Sequence, residues 1–375
     1  MIFGVEEKLL RPAILLGLLA FFLSVPIVQA QTVKDMPPPP PAWKPKPTPT
    51  PKPPEQEVLD VVRVTSNLVM VPVSVTDQQG QAVQGLKVAD FRLEEEGKQQ
   101  EITEIGDPEQ VPLAIALLFD ISSSVSQKGF FASQQNAAAT FLRLVMKPAD
   151  RAAIFTITDE ATMVQPLAPA DTSAAKMLTV PAATKPVPTA FYDTVAAAAK
   201  YLMDKAPQNY RRVIVVLSDG DDNFSSQIRD MSIAEARAVQ NGQQVFAGTR
   251  AGLQQRHQRA VAEVQKAVQQ ADVIFYSVNP GGPSVKLNQI SMRAEKGMEA
   301  IAETTGGTAF VPDSDQDLER VFRQVAAELR GQYLLQYYAN AEAPPGQFRR
   351  IQVVVPSRND VRVRARQGYY PKKKD

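Results

Sequence analysis

The 375-residue sequence contains no cysteine and a single histidine, His257. The first absence excludes disulfides, thiolate metal sites, cysteine nucleophiles and a lipid anchor on an amino-terminal cysteine. The second leaves almost nothing from which to build a histidine-rich metal site or a His-paired catalytic dyad. Net charge is scarce too: 41 Lys and Arg against 40 Asp and Glu leave +1, whereas nucleic-acid-binding domains carry a strongly basic balance. No G-x-S-x-G elbow surrounds any serine, which removes the local signature of one large hydrolase class. Ser122 with His257 as base is the nucleophile pairing to weigh. His257 lies in the polar stretch LQQRHQRA, reads as solvent-facing, and its replacement by Ala is expected to leave activity intact. The chain is not expected to be an enzyme.

What is present begins with Lys8 and Arg11 ahead of AILLGLLAFFLSVPIV, followed by VQA ending at Ala30. This is the layout of a secretory signal peptide over residues 1–30. Its apolar core is short for a membrane span of about 20 residues, so cleavage is favoured over a retained anchor and no span is expected afterwards. The expected location is exported and bacterial: periplasmic, cell-surface or secreted. Export without disulfides implies a core large enough to hold without cross-links. Residues 31–57 form a Pro-rich linker containing PPPPPAWKPKPTPTPKPP. Proline at that density favours polyproline II, reaching on the order of 50 Å, either as a spacer from a surface or as a plain linker.

Residues 58–107 read as a β-strand module. VVRVTSNLVMVPVSVTD is rich in Val and Thr, DQQG is a turn, and FRLEEEGKQQEITEI reads as two short strands around Gly97. So few large side chains make a thin core, and the module should borrow strands. Residues 332–372 offer them in QYLLQYYA, FRRIQVVVP and VRVRARQGYY. In the last, Val361, Val363 and Ala365 alternate with Arg362, Arg364 and Arg366, one buried and one exposed face. The arginine stripe is read as a solvated strand face that blocks unwanted pairing, in preference to a binder of anionic surfaces. The two flanks are expected to combine into one discontinuous β-sandwich.

Between them, over residues 108–331, strands and helices alternate. LAIALLFD is a continuous apolar run, as a strand covered on both faces should be. RAAIFTITD, RRVIVVLSD, DVIFYSVNP and TAFVP follow, separated by helical stretches such as FFASQQNAAATFLRLVM. In SDQDLERVFRQVAAELRG, Ser314 is the expected N-cap and Gly331 the terminator. The expectation is an α/β, Rossmann-like, doubly wound, mostly parallel sheet.

Two of these strands end in acid, at Asp120 and Asp219. Ligands of open parallel sheets bind at the carboxyl ends of strands, where strand order reverses. If the strands ending in Asp120 and Asp219 are neighbours, the two carboxylates approach each other. Ser122 and Ser124 follow Asp120 at every second residue, and Thr189 stands before a helical run starting near Tyr192. Asp and Ser at strand ends also serve as plain turn and cap residues. Taken together, two carboxylates and three hydroxyls make a hard-oxygen set suited to Mg²⁺, with Mn²⁺ or Ca²⁺ as variants, and unsuited to zinc or copper. Hydroxyls binding directly leave the ion electron-poor, with Asp120 and Asp219 holding its waters. Such an ion is ready to accept one more carboxylate.

Asp120-x-Ser122-x-Ser124, Thr189 and the Asp219 of VIVVLSDG resemble the metal-ion-dependent adhesion site of von Willebrand factor type A domains, over roughly residues 110–330. GMEAIAETTGGTAFVPDSDQDLERVF is similar to the last strand–helix unit of that family. The flanks are similar to exported bacterial proteins, notably of acidobacteria, related to this family. The resemblance implies a protein partner whose Asp or Glu completes the metal coordination. Pro188 stands where the family often has glycine, which stiffens the loop. Asp221 and Asp222 are read as a solvated turn. Residues 221–271 leave the metal-bearing edge, as part of the partner surface or as a helical hairpin packed on the side. The alternative function is a structural or assembly protein of the cell envelope with a structural metal, which would keep its contacts when the metal is removed.

Overall fold

The computed structural model describes residues 68–122, 131–229, 250–282, 289–314, 317–339 and 346–371, and all that follows concerns these. The signal and linker segments, Ser124 and residues 230–249 lie outside them.

The central sheet has six strands in the order β10-β9-β8-β5-β6-β7. They are β5 (Leu113–Asp120), β6 (Arg151–Ile157), β7 (Ala161–Ala168), β8 (Arg211–Leu217), β9 (Val273–Val278) and β10 (Ala309–Phe310). All pairings are parallel except β6 with β7. Every residue of β5 is buried, which is why its sequence is an unbroken apolar run. Leu113, Ile115, Leu117 and Phe119 face one helix layer, made by α1 (Phe131–Val145), α2 (Ala170–Leu178) and α6 (Leu318–Arg330). Ala114, Ala116 and Leu118 face the other, made by α3 (Phe191–Lys205), α4 (Arg250–Gln270) and α5 (Gln289–Thr305). Phe322 of α6 stacks on Phe141 of α1 with centroids 5.0 Å apart. Truncating such a ring to Ala costs about 3–5 kcal/mol.

Both flanks contribute to two antiparallel sheets. One has the order β13-β1-β11-β4 and the other β14-β12-β2-β3. The strands are β1 (Leu68–Thr76), β2 (Arg92–Glu95), β3 (Lys98–Gln100), β4 (Ile102–Gly106), β11 (Tyr333–Tyr338), β12 (Arg349–Val354), β13 (Arg362–Ala365) and β14 (Gly368–Tyr369). β1 pairs with β11 from Leu68↔Tyr338 to Val73↔Tyr333, and β2 pairs with β12. One core serves both sheets: Val71, Val73, Leu93, Leu335, Tyr337 and Ile351 meet in it. The expected α/β sheet with an antiparallel sandwich built from both flanks is the fold found.

Three local expectations are corrected. Residues 92–106 form three strands where two were expected. Glu96 and Gly97 both take left-handed φ (50° and 74°) and close a tight hairpin between β2 and β3, after which the chain crosses into the other sheet as β4. The last helix starts at Leu318 with Asp317 flanking it, and Ser314 instead donates from Oγ to Asp317 Oδ2 at 3.0 Å. The arginine stripe is a solvated face only at Arg362, which is exposed; its other two members are engaged. Arg364 pairs with buried Glu328 of α6 at 2.8 Å, and Arg366 pairs with Asp272 and donates to the Met70 carbonyl. Only 13% and 11% of these two side chains is exposed.

Candidate metal centre

Sheet order reverses between β5 and β8. From β5 the chain moves to β6 and β7 on one side and then returns to lay β8, β9 and β10 on the other. β8 pairs directly with β5, ending with Phe119 opposite Leu217. The residues that follow, Asp120 on one strand and Ser218–Asp219 on the other, are therefore brought side by side at the switch point.

Asp120 is fully buried. Its Oδ1 accepts the Ser122 N–H at 2.8 Å, and its Oδ2 accepts the Ser218 hydroxyl at 2.5 Å. Ser218 Oγ also accepts the Gly220 N–H at 2.9 Å, which fixes the turn presenting Asp219. Gly220 is required there: its φ is +72°, and an added Cβ would meet Met298 at 2.8 Å. Burial pushes the Asp120 carboxyl up to about 7, the Asp219 charge pushes the same way, and hydrogen bonds from Ser122 and Ser218 oppose them. The two carboxylates thus repel each other in a site that favours cancellation of their charge.

Thr189, buried, lies two residues before the start of α3, with Ala190 between. Its N–H donates to Asn223 Oδ1 at 2.9 Å, and its carbonyl accepts the N–H groups of Asn223 and Phe224, each at 3.0 Å. Ser122 and Thr189 are nearly inaccessible, while Asp219 is half-buried. Among the described residues no group of three or more His, Cys, Asp or Glu side chains is placed to hold a metal ion. A cation at this switch point would therefore depend on hydroxyl donors beside Asp120 and Asp219. The donors present are oxygen only, which fits a hard divalent ion. Ser124, the remaining hydroxyl of the motif, lies outside the described residues.

Asp222 is not part of a solvated turn. It is buried, and its carboxylate accepts the N–H groups of Tyr192, Phe224 and Ser225 and the Ser225 hydroxyl. It thereby caps the start of α3, whose first N–H groups have no partner within the helix. Asp221 is half-buried, and its carboxyl is pushed up to about 6, first by burial and then by the Asp219 charge. His257 is likewise not solvent-facing. It is 3% exposed, with Nδ1 3.3 Å from the Tyr192 hydroxyl. Burial, followed by the positive charges of Arg293 and Arg256, pulls it down to about 4, so it is neutral at physiological pH.

Ser218 and Asn223 are given no role at this end of the molecule by the sequence reading, and Asp222 is placed there only as part of a solvated turn. Only Asp222 carried a signal, being followed three residues later by Ser225 directly before a helical turn at Ser226–Arg229.

The sequence pattern of the von Willebrand factor type A domain matches residues 114–324, more than half of the chain. No curated protein matches it. Similar solved structures include a von Willebrand factor type A protein from Catenulispora acidiphila, at 13% identity and TM-score 0.42, covering 83% of this chain and 76% of that one. Another is an aerotolerance-related membrane protein from Bacteroides fragilis, at 14% identity and TM-score 0.37, covering 57% and 98%. A third is proximal thread matrix protein 1 of the mussel byssus with a zinc-occupied adhesion-site motif, at 16% identity and TM-score 0.41, covering 62% of this chain and 49% of that one.

Proposed function

The chain belongs to the von Willebrand factor type A domain family, and on that premise we propose that it is an exported, divalent-metal-dependent protein-binding module. Asp120, Ser122, Ser124, Thr189 and Asp219 hold the ion, Mg²⁺ first and Mn²⁺ or Ca²⁺ as substitutes. An Asp or Glu of a protein partner completes the coordination, which makes the module adhesive rather than catalytic. The observation that carries this reading is the convergence of Asp120, Ser122 and the Asp219 turn at the switch point between β5 and β8, with oxygen donors alone. The bound ion supplies one thing, an electrophilic seat for a carboxylate. The chain's own residues present it: Ser218 orients Asp120 and, through its contact with the Gly220 N–H, fixes the turn that carries Asp219. Among the described residues no helix is long and apolar enough to cross a membrane.

The test is calorimetric titration of Mg²⁺ and Mn²⁺ into residues 31–375, beside Asp120→Ala and Ser124→Ala. Saturable binding lost in both variants, with circular dichroism unchanged, supports the site; no binding in the unaltered chain refutes it. Partner capture that survives EDTA would refute metal-dependent adhesion in favour of an assembly role for the sandwich. Export is tested by amino-terminal sequencing of protein made in a bacterial host: a start at Gln31 is expected, and a retained Met1 refutes cleavage.

A further inference from the structure

The loop after Asp219 and the loop carrying Thr189 are joined by contacts that do not involve the proposed ion. Thr189 is gripped three times: N–H to Asn223 Oδ1, and carbonyl to the N–H groups of Asn223 and Phe224. The chain then stays on the same partner strip, with Tyr192 N–H on Asp222 at 2.8 Å and Asp193 N–H on Ser225 Oγ at 3.0 Å. The Asp193 carboxylate returns the contact by accepting the Ser226 N–H and hydroxyl at 2.9 and 3.0 Å. On the upstream side, Pro188 has its φ fixed by its ring. α3 has no side-chain cap of its own at Ala190, so this strip takes that role.

We infer that Asn223 is the positioning residue for Thr189, so that Thr189 and Asp219 reach the ion as one unit. The inference rests on the metal reading proposed above. The physical reason is that Thr189 is buried and its N–H has the Asn223 side-chain oxygen as its acceptor. A buried donor without an acceptor is costly, so the loop would shift to rehydrate it, and Thr189 Oγ1 would shift with it. Asn223 itself is exposed, so the fold does not depend on its packing. It needs no contact with the ion to set the ion's affinity, as outer groups that orient metal ligands commonly do.

The experiment uses residues 31–375 carrying Asn223→Ala or Asn223→Asp. Hydrogen exchange of the peptide spanning Thr189 is followed in EDTA, and Mn²⁺ affinity is followed separately by calorimetry. Asn223→Ala is expected to exchange faster at Thr189, keep its circular dichroism, and bind Mn²⁺ about tenfold more weakly. Asn223→Asp keeps the acceptor oxygen and is expected to restore both protection and affinity. Unchanged exchange in Asn223→Ala would show that the contact holds nothing. Faster exchange with unchanged Mn²⁺ affinity would show that Thr189 needs no holding. Either result overturns the inference while leaving the metal site standing. Absence of Mn²⁺ binding in the unaltered chain overturns the metal reading and this inference with it.

Discussion

Replacing Asp120 with Asn should make the metal-free protein more stable and, in the same step, blind to metal. Asp120 is fully buried and faces the Asp219 charge, and its carboxyl is raised from an ordinary 3.8 to about 7. An acid raised in the folded state binds its proton more tightly there than in the unfolded chain. Its contribution therefore turns destabilising as pH climbs past the unfolded value, and is complete above the folded one. At pH 8 the gap between 3.8 and about 7 places on the order of 4 kcal/mol of destabilisation on the metal-free fold. Asn removes the charge but keeps an oxygen for the Ser122 N–H; its amide donates to the Ser218 hydroxyl, which loses the acceptor of its own proton, a cost of about 1–3 kcal/mol that is smaller than the destabilisation removed. The assay is thermal unfolding at pH 8, in EDTA and in Mg²⁺. In EDTA the variant should melt above the unaltered protein. In Mg²⁺ at a hundredfold excess over Kd, the unaltered protein should gain about 2.7 kcal/mol and the variant nothing. A variant that melts lower in EDTA would show that the carboxylate is retained for its hydrogen bonds, and the repulsion argument would fail. A variant still stabilised by Mg²⁺ would move the ion away from Asp120.

Two further substitutions probe the corrected regions. Glu328→Ala leaves Arg364 buried without its carboxylate and should cost about 3 kcal/mol in urea unfolding; a change below about 0.5 kcal/mol would mean that water reaches the pair, as at a surface ion pair. His257 is depressed from 6.5 to about 4, so it is neutral in the fold and takes up a proton more readily when unfolded. Its stabilising contribution is complete above pH 6.5 and is lost as pH falls towards 4. Relative to pH 7.5, the unaltered protein at pH 5 should therefore lose about 2 kcal/mol more than His257→Gln does, and parallel pH–stability curves would refute the burial argument.

The parts of the molecule that were legible in the sequence were written in period; those that were not depend on what covers a face. LAIALLFD and RRVIVVLSD declare strands buried on both sides, and a parallel sheet then has a switch point where Asp120 and Asp219 meet. The alternation of Val361, Val363 and Ala365 with the arginines correctly separates two faces. It carries no information about what lies over the arginine face, where Glu328 of α6 meets Arg364 and Asp272 meets Arg366. Thr189 could be placed before a helix, yet its grip by Asn223 was silent, because a polar residue in a polar turn looks the same whether it points to solvent or across to another loop. His257 was misread for a different reason, and here the signal existed. Its neighbours Gln254, Gln255 and Gln258 are polar, and judging by neighbours puts His257 outside. On α4, however, His257 is followed by Ala260, Val264 and Val268, all buried, at spacings of three and four that keep one face. The phase of those apolar residues puts the imidazole on the core side of the helix, against Tyr192. In an amphipathic helix the register of the apolar stripe decides burial, and the polarity of adjacent residues reports only on the other faces.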